Sequence, residues 1–122
     1  MPKYVDGWLV PVPRGQLDEY RRIARRSGKV WREHGALEYV ECVTEDTETG
    51  EMLSFPQAMN LKRNETVIFG YVVYRSRAHR DRVNKKAMAD PRLADLTTPD
   101  GVPFDTKRLV YGGFSTVVAL KD

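Results

Sequence analysis

The stretch from Thr66 to Tyr74 is an almost unbroken run of β-forming residues, and it constrains the fold more than any other part of the sequence. Successive side chains of a strand point to opposite faces of the sheet. Both faces of this strand are apolar: one carries Val67, Phe69, Tyr71 and Val73, and the other carries Ile68, Val72 and Tyr74. The sheet that contains this strand therefore needs cover on both sides.

Apolar periodicity divides the rest of the chain into further elements. Alternating apolar residues predict strands over residues 4–12, 37–44 and 107–120 as well. Apolar residues spaced three and four apart predict helices over 16–34 and from Ser76 to about 89, the first ending at Gly35. The stretch 52–61 is irregular or forms a short helix, because Pro56 argues against a central strand.

The resulting order, β-α-β-β-α-β, predicts an α+β domain of the ferredoxin-like type, in which an antiparallel sheet carries two helices on one face. The length of 122 residues suits one domain over 1–122. Two helices cover only one face of the sheet, so the other face would expose a large apolar patch. A second copy that packs its sheet against the first would cover this patch, so the sequence predicts a homodimer.

Charge, cysteine content and hydropathy restrict the partners and the cellular compartment that we expect for the protein. Twenty Lys and Arg against 17 Asp and Glu give a net charge of only +3, less than a dedicated phosphate-backbone binder needs. Cys42 is the only cysteine, so no intrachain disulfide forms. The polar first seven residues do not resemble a signal peptide, and no apolar run approaches the ~20 residues of a membrane span. We therefore expect a cytoplasmic protein without membrane contact.

Several short motifs resemble one protein family over nearly the whole chain. They are Tyr4-Val5-Asp6-Gly7, Gly35-Ala36-Leu37, Ser76-Arg77-Ala78-His79-Arg80-Asp81, Asp90-Pro91-Arg92, Pro103-Phe104-Asp105 and Tyr111-Gly112-Gly113-Phe114. Together they resemble the YbaA-like proteins, domain-of-unknown-function family 1428. The resemblance implies a dimeric α/β barrel, and it brings no established activity or catalytic residues to this chain. Related barrels carry out different chemistries, so the fold does not specify a reaction.

Asp6 interrupts an otherwise apolar strand, and a carboxylate buried there requires a partner. One interpretation is a structural ion pair with Arg108 or Lys107. The alternative is a functional carboxylate, which acts as a base or orients a ligand in a cleft. The sequence favours the structural interpretation, since buried charges are usually paired.

A second group of residues offers a possible ligand pocket. Gly112 and Gly113 lie inside the last predicted strand, where a bulge or a close helix crossing is the usual explanation and room for a ligand the rarer one. Gly7 can lie beside them in this topology. Tyr71 and Tyr111 would then line a pocket with their hydroxyl groups, although ordinary aromatic core packing is the favoured alternative.

The sequence contains no motif for a metal or a cofactor, and we expect neither. His34 and His79 are the only histidines and lack a patterned set of carboxylates, while Cys42 is expected to be a small buried strand residue. No phosphate-binding loop, nucleophile elbow or dinucleotide fingerprint occurs.

Two functions therefore remain open, and no motif assigns a reaction or decides whether the protein is an enzyme. The first is a small-molecule site in the cleft between sheet and helices, with polar groups from Asp6, Arg108 and Tyr111. The second is an RNA-associated or general interaction protein that uses its basic helix faces. The second is not favoured, because Arg and Lys commonly occupy the solvated side of a helix and the aromatic residues Tyr20 and Trp31 fall on the buried stripe.

Overall fold

The computed structural model describes residues 3–97 and 101–120 of the chain. Its strands and longer helices are β1 (Tyr4–Pro13), α1 (Leu17–Glu33), β2 (Glu38–Val43), α2 (Phe55–Ala58), β3 (Glu65–Tyr74), α3 (Arg77–Met88) and β4 (Val110–Ser115). The strands form one sheet in the order β2-β3-β1-β4, and each neighbouring pair is antiparallel. The prediction of an α+β fold with a four-stranded antiparallel sheet is confirmed, with α2 as an additional short helix between β2 and β3.

Both long helices, α1 and α3, lie on the same face of the sheet, which we call the inner face. Val10 of β1 is opposite Ile68 of β3, and Val72 lies four residues further along β3, on the same side. Tyr20 of α1 packs in one cluster with Val10 and Ile68, and Val83 of α3 packs in a second cluster with Val72. No described helix is long and apolar enough to cross a membrane.

The ends of the helices follow from local chemistry. Gly35 follows α1 with a φ of +117°, a conformation that glycine adopts at little cost. The Ser76 hydroxyl accepts a hydrogen bond from the backbone N–H of His79 at 3.1 Å and caps the first turn of α3. Ser76 and Gly35 therefore mark the start of α3 and the end of α1, as expected from the sequence.

The stretch 52–61, which the sequence predicts to be irregular or a short helix, contains the short helix α2. Ser54 and Gln57 form a reciprocal capping box, in which Ser54 Oγ accepts from the Gln57 backbone at 3.3 Å and Gln57 Oε1 accepts from the Ser54 backbone at 2.9 Å. Pro56 is tolerated because it lies in the first turn, where a backbone N–H has no helical partner. The stretch is thus irregular around one short helix.

The last strand is shorter than expected. The prediction of 107–120 was wrong at both ends, since β4 covers only Val110–Ser115. Before β4, the Asp105 side chain accepts a hydrogen bond from the Lys107 backbone at 3.0 Å and caps a turn of 3₁₀ helix over Thr106–Arg108. β4 ends at Ser115 because its neighbour β1 provides no further pairing partner: Ser115 is opposite Tyr4, the first residue of β1.

The opposite face of the sheet, which we call the outer face, exposes large apolar side chains. Phe69, Val110 and Phe114 are 46%, 55% and 61% exposed. The short helix α2 reaches this face, where Phe55 stacks on Phe69 with ring centroids 6.4 Å apart. The apolar patch expected on a second face is therefore present.

Cys42 also lies on the outer face, opposite Phe69, and is exposed. The expectation of a buried cysteine was wrong. Its strand, β2, is an edge strand, so its outward side chains have few neighbours to cover them.

The inner face depends on the absence of a side chain at Gly70 in the middle of β3. Trp8 of β1 is directly opposite Gly70, and its indole ring lies across the glycine. A Cβ atom at this position would lie 2.3 Å from indole carbons of Trp8. Glycine weakens a strand in general, but here it permits a large aromatic ring to lie flat on the sheet.

We therefore expect Gly70→Ala to destabilise the protein by about 1–3 kcal/mol, because the new methyl group overlaps the indole ring of Trp8. Urea unfolding followed by circular dichroism measures the change. Gly15→Ala is the control, since a Cβ at Gly15 meets nothing within 4 Å, and this variant should be as stable as the parent or slightly more stable. Equal stability of the two variants would show that Trp8 does not need this space.

Candidate functional site

A cavity of about 550 Å³ lies between the inner face of the sheet and the two long helices. This volume falls within the range of ~300–1,000 Å³ that is typical of small-molecule sites. The lining is mainly apolar and contains seven aromatic residues: Trp8, Tyr20, Trp31, Tyr39, Tyr74, Phe104 and Tyr111. Four further polar side chains, Asp6, Ser27, Glu41 and Asn84, also line it. An apolar cavity with a few polar groups is the usual form of a ligand site.

A slightly larger depression, of about 650 Å³, lies between the loop at 44–50 and the segment 54–66. Its walls are mainly polar and charged, and its buried carboxylate, Glu65, is already paired with Arg108. None of the buried side-chain atoms that lack a hydrogen-bond partner in the described part of the chain lies there. The cavity under the helices is therefore the better candidate site.

Asp6 is the most unusual group in the cavity wall. It is 1% exposed, and neither of its carboxylate oxygens has a hydrogen-bond partner among residues 3–97 and 101–120. Its counter-charge comes from Arg80 of α3, whose Nη1 atom is 3.3 Å from Asp6 Oδ1 without hydrogen-bond alignment. Asp6 is therefore compensated in charge but not in hydrogen bonding, and an unbonded buried acceptor costs free energy.

The predicted pairing of Asp6 with Arg108 or Lys107 was wrong. Arg108 donates instead to Glu65 at 2.6 Å and to the carbonyl oxygen of Asn60 at 3.2 Å. The hydrogen bond from Arg108 lowers the pKa of Glu65 below its usual range. Arg108 precedes β4 in the chain and is not part of the cavity wall.

The other predicted site residues lie on different faces of the sheet. Tyr111 is opposite Trp8 and lines the cavity, whereas Tyr71 is opposite Gly7 and belongs to the outer face. Gly112 is also opposite Gly7, as the topology suggested, and likewise belongs to the outer face. The structure thus brings Asp6 and Tyr111 together and separates both from Tyr71 and Gly112.

Gly113 is opposite Asp6 and has a packing role. A Cβ atom at Gly113 would lie 2.3 Å from the Tyr4 hydroxyl oxygen, so the glycine makes room for the Tyr4 ring. The guanidinium group of Arg80 lies 4.9 Å from the centroid of this same ring. Gly113 therefore supports the Asp6–Arg80 pair through Tyr4 rather than providing space for a ligand.

The charge of Asp6 affects the pKa of two neighbouring tyrosine hydroxyl groups. Burial, and second the neighbouring Asp6 carboxylate, raise the pKa of Tyr111 to about 12. Burial and the charge of Asp6 also raise the pKa of Tyr74 above its usual value. Both hydroxyl groups therefore stay protonated at neutral pH, as neutral donors near a carboxylate.

Glu41 of β2 gathers three donors from three different elements. Its Oε1 atom accepts from Trp8 Nε1 at 3.3 Å and from the Tyr20 hydroxyl, and its Oε2 atom accepts from the Tyr39 hydroxyl at 2.8 Å. Burial, followed by the Glu41 charge, raises the pKa of both tyrosines. These three bonds connect β1, α1 and β2 at one carboxylate.

Asn84 of α3 likewise accepts hydrogen bonds from aromatic side chains, at another part of the cavity wall. Its Oδ1 atom accepts from Trp31 Nε1 and from the Tyr74 hydroxyl, both at 3.0 Å. These two bonds connect α3 to α1 and to β3. They occupy both lone pairs of the amide oxygen.

Sequence reasoning missed Arg80, Glu41 and Asn84. Glu41 interrupts an apolar strand in the same way as Asp6, so this signal was available. Gly28 was a second signal, because a glycine inside a helix often marks close packing, and here a Cβ would lie 2.6 Å from Tyr39. Arg80 and Asn84 gave no such signal, since polar residues are ordinary on a helix.

The histidines have structural partners. His34 Nε2 lies 2.9 Å from Asp90 Oδ2 after the end of α1, and His79 Nδ1 accepts from the Arg75 backbone at 3.0 Å. Burial lowers the pKa of His79. Among the residues described, no cluster of three or more His, Cys, Asp or Glu side chains is arranged to hold a metal ion.

Residues 3–106 match the family described as "Protein of unknown function (DUF1428)". The chain belongs to this family. The uncharacterized protein YbaA of Escherichia coli strain K12 is 40% identical over 116 residues, which cover 95% of this chain and 97% of YbaA. The YbaA protein of Shigella flexneri matches with the same identity and coverage. The resemblance inferred from the short motifs is confirmed.

A solved structure shares the fold of this DUF1428 chain. A dimeric ferredoxin-like protein from an uncultured marine organism superposes with a TM-score of 0.66 and covers 98% of this chain and 100% of its own. The two sequences are only 10% identical, so the likeness concerns the fold alone. It supports the ferredoxin-like class of the four-stranded antiparallel sheet.

The Asp6–Arg80 pair generates a prediction on stability. Arg80→Met should cost about 3–5 kcal/mol, because it leaves the buried Asp6 carboxylate without a counter-charge. Adding Asp6→Asn to Arg80→Met should recover part of the loss, since no buried charge then remains. Chemical denaturation of both variants and the parent measures these differences.

The matched control is Arg22→Met at the exposed ion pair with Glu19, where the Arg22 side chain is 76% exposed. It should change the free energy of unfolding by less than about 1 kcal/mol. A similarly small effect of Arg80→Met would contradict the role of Arg80 as the counter-charge of Asp6.

Proposed function

We propose that this DUF1428 protein binds a small, largely apolar molecule in the cavity under the two helices. The observation that carries the proposal is Asp6, a fully buried carboxylate on the cavity wall whose oxygens have no hydrogen-bond partner in the described chain. Buried polar groups are nearly always hydrogen-bonded, and exceptions need an explanation. A ligand that donates a hydrogen bond to Asp6 provides that explanation.

The arrangement suits the binding of a ligand that carries a polar group. Asp6 has a counter-charge in Arg80 and lines a mainly apolar cavity, where an electrostatic interaction is stronger than in water. Tyr111 adds a neutral hydroxyl group next to the carboxylate. A carboxylate acceptor beside a hydroxyl donor is a common pair for orienting a polar group of a ligand.

We further propose that two copies of the chain associate through their outer faces, as in a dimeric α/β barrel. The apolar residues Phe69, Val110 and Phe114 supply a contact surface, and the facing glycines Gly7 and Gly112 leave a shallow groove of about 220 Å³ among them. The structural neighbour from a marine organism is described as dimeric. Association would remove this patch from water, which is the main driving force for such interfaces.

The alternative of RNA binding through the basic helices has less support. Four of the arginines on α1 already have partners: Arg21 with Asp18, Arg22 with Glu19, Arg26 with Asp95, and Arg32 with the carbonyl oxygens of Ala36 and Leu37. These interactions reduce the positive potential that would attract phosphates. Tyr20 and Trp31 turn towards the cavity and do not offer a stacking surface for bases.

The two tryptophans of the chain, Trp8 and Trp31, both line the cavity, so binding there can be followed by intrinsic fluorescence. We expect the neutral aromatic dye N-phenyl-1-naphthylamine to quench tryptophan emission and to receive its energy. Ser27→Phe narrows the cavity, because Ser27 lines it, and should weaken binding of the dye by about tenfold or more.

Thr47→Phe is the control, since it places the same side chain on an exposed loop outside this cavity. It should bind the dye as the parent does. Dye binding that is unchanged in a folded Ser27→Phe protein would show that the cavity is not the site.

For the dimer, Phe114→Asp should convert a two-chain species into a monomer at micromolar concentration, because it inserts a charge into the apolar outer face. Light scattering coupled to gel filtration gives the mass. Lys29→Asp, on the exposed side of α1, introduces the same side chain and should leave the mass unchanged. A parent protein that elutes as a monomer would refute the proposed association.

A further inference from the structure

The polar groups of the cavity differ in how much hydrogen-bonding capacity they have left. A carboxylate offers about four lone-pair positions, and an amide oxygen offers two. Asn84 uses both positions of Oδ1, and Glu41 uses three positions for Trp8, Tyr20 and Tyr39. Within residues 3–97 and 101–120, Asp6 has no partner in hydrogen-bond geometry, although the hydroxyl groups of Tyr74 and Tyr111 lie near its carboxylate. Among the carboxylate and amide groups of the cavity wall, the free acceptor capacity is therefore concentrated at Asp6.

The charge of Asp6, in contrast, is already compensated. Arg80 is only 15% exposed and lies 3.3 Å from Asp6, so the two opposite charges form a buried pair, while Nε of Arg80 also lies 3.0 Å from the exposed carboxylate of Asp81. A cationic ligand at Asp6 would meet Arg80 as a second positive charge nearby. The cost of bringing that cation out of water would then be poorly offset.

An anionic ligand meets the opposite difficulty. Two carboxylates, Asp6 and Glu41, line the same cavity, and Arg80 is not among the lining residues. The three donors to Glu41 are neutral groups, so they do not neutralise the charge of this carboxylate. Like charges in a weakly polar cavity repel strongly.

We infer that the ligand of this cavity is an uncharged, planar aromatic molecule with a hydroxyl or N–H group, and that this group donates its hydrogen to Asp6. The inference rests on the proposed function, that the cavity is a binding site, and specifies the class of molecule it takes. Flat rings on several sides, including Trp8, Trp31 and Phe104, suit a planar ligand. The donor satisfies the buried carboxylate that the described residues leave without a hydrogen bond.

A matched set of naphthalene derivatives tests this inference by isothermal titration calorimetry on the intact protein. The set consists of 2-naphthol, 2-methoxynaphthalene, 2-naphthoate and 2-naphthylmethylammonium. 2-Naphthol should bind at least about tenfold more tightly than 2-methoxynaphthalene, which has the same ring system but no donor, because a hydrogen bond to a charged acceptor is among the stronger ones. Both charged members should bind more weakly than 2-naphthol.

In Asp6→Asn, the preference for 2-naphthol over 2-methoxynaphthalene should fall several-fold, since the acceptor loses its charge. Equal binding of these two compounds to the parent, or tightest binding of the ammonium or carboxylate member, would overturn the inference while leaving the cavity as a binding site. Failure of all four compounds to bind would overturn the inference and also count against the proposed function. The comparison within the parent protein stands even if Asp6→Asn is poorly folded.

Discussion

Aromatic side chains in the cavity wall are hydrogen-bonded to two polar residues, and those residues connect the helices to the sheet. Glu41 joins β1, α1 and β2 through Trp8, Tyr20 and Tyr39, while Asn84 joins α3 to α1 and β3. Long rigid side chains of this kind separate backbone elements more than aliphatic ones do. The hydrogen bonds keep the rings against the walls, so the helices pack on the sheet without filling the space between them.

Within that frame, the Asp6–Arg80 pair is a compromise between stability and an available acceptor. A carboxylate such as Glu41, which accepts three hydrogen bonds, contributes to the structure but has little capacity left for a ligand. A buried carboxylate without any counter-charge would be very unfavourable. Asp6 lies between these cases, since Arg80 balances its charge and its oxygens stay unbonded. This is the type of local conflict that proteins retain at functional sites.

The two faces of the sheet carry different features of the molecule. The inner face carries the helices, the polar residues and the cavity, and the outer face carries Phe69, Val110 and Phe114 in an apolar patch. Because side chains alternate along a strand, a shift by one residue moves a side chain from one role to the other. Tyr71 and Tyr111 illustrate this point: both are strand tyrosines, yet only Tyr111 lines the cavity.

The sequence by itself determined the fold class, the family and the positions of most elements, because periodicity, capping residues such as Ser76 and short motifs are local properties. It also singled out Asp6, since a carboxylate in an apolar strand is visible without coordinates. Only the tertiary structure decided the partner of Asp6 and the membership of the site. Register and helix docking bring Arg80, rather than Arg108, to Asp6, and these depend on contacts between residues far apart in the chain.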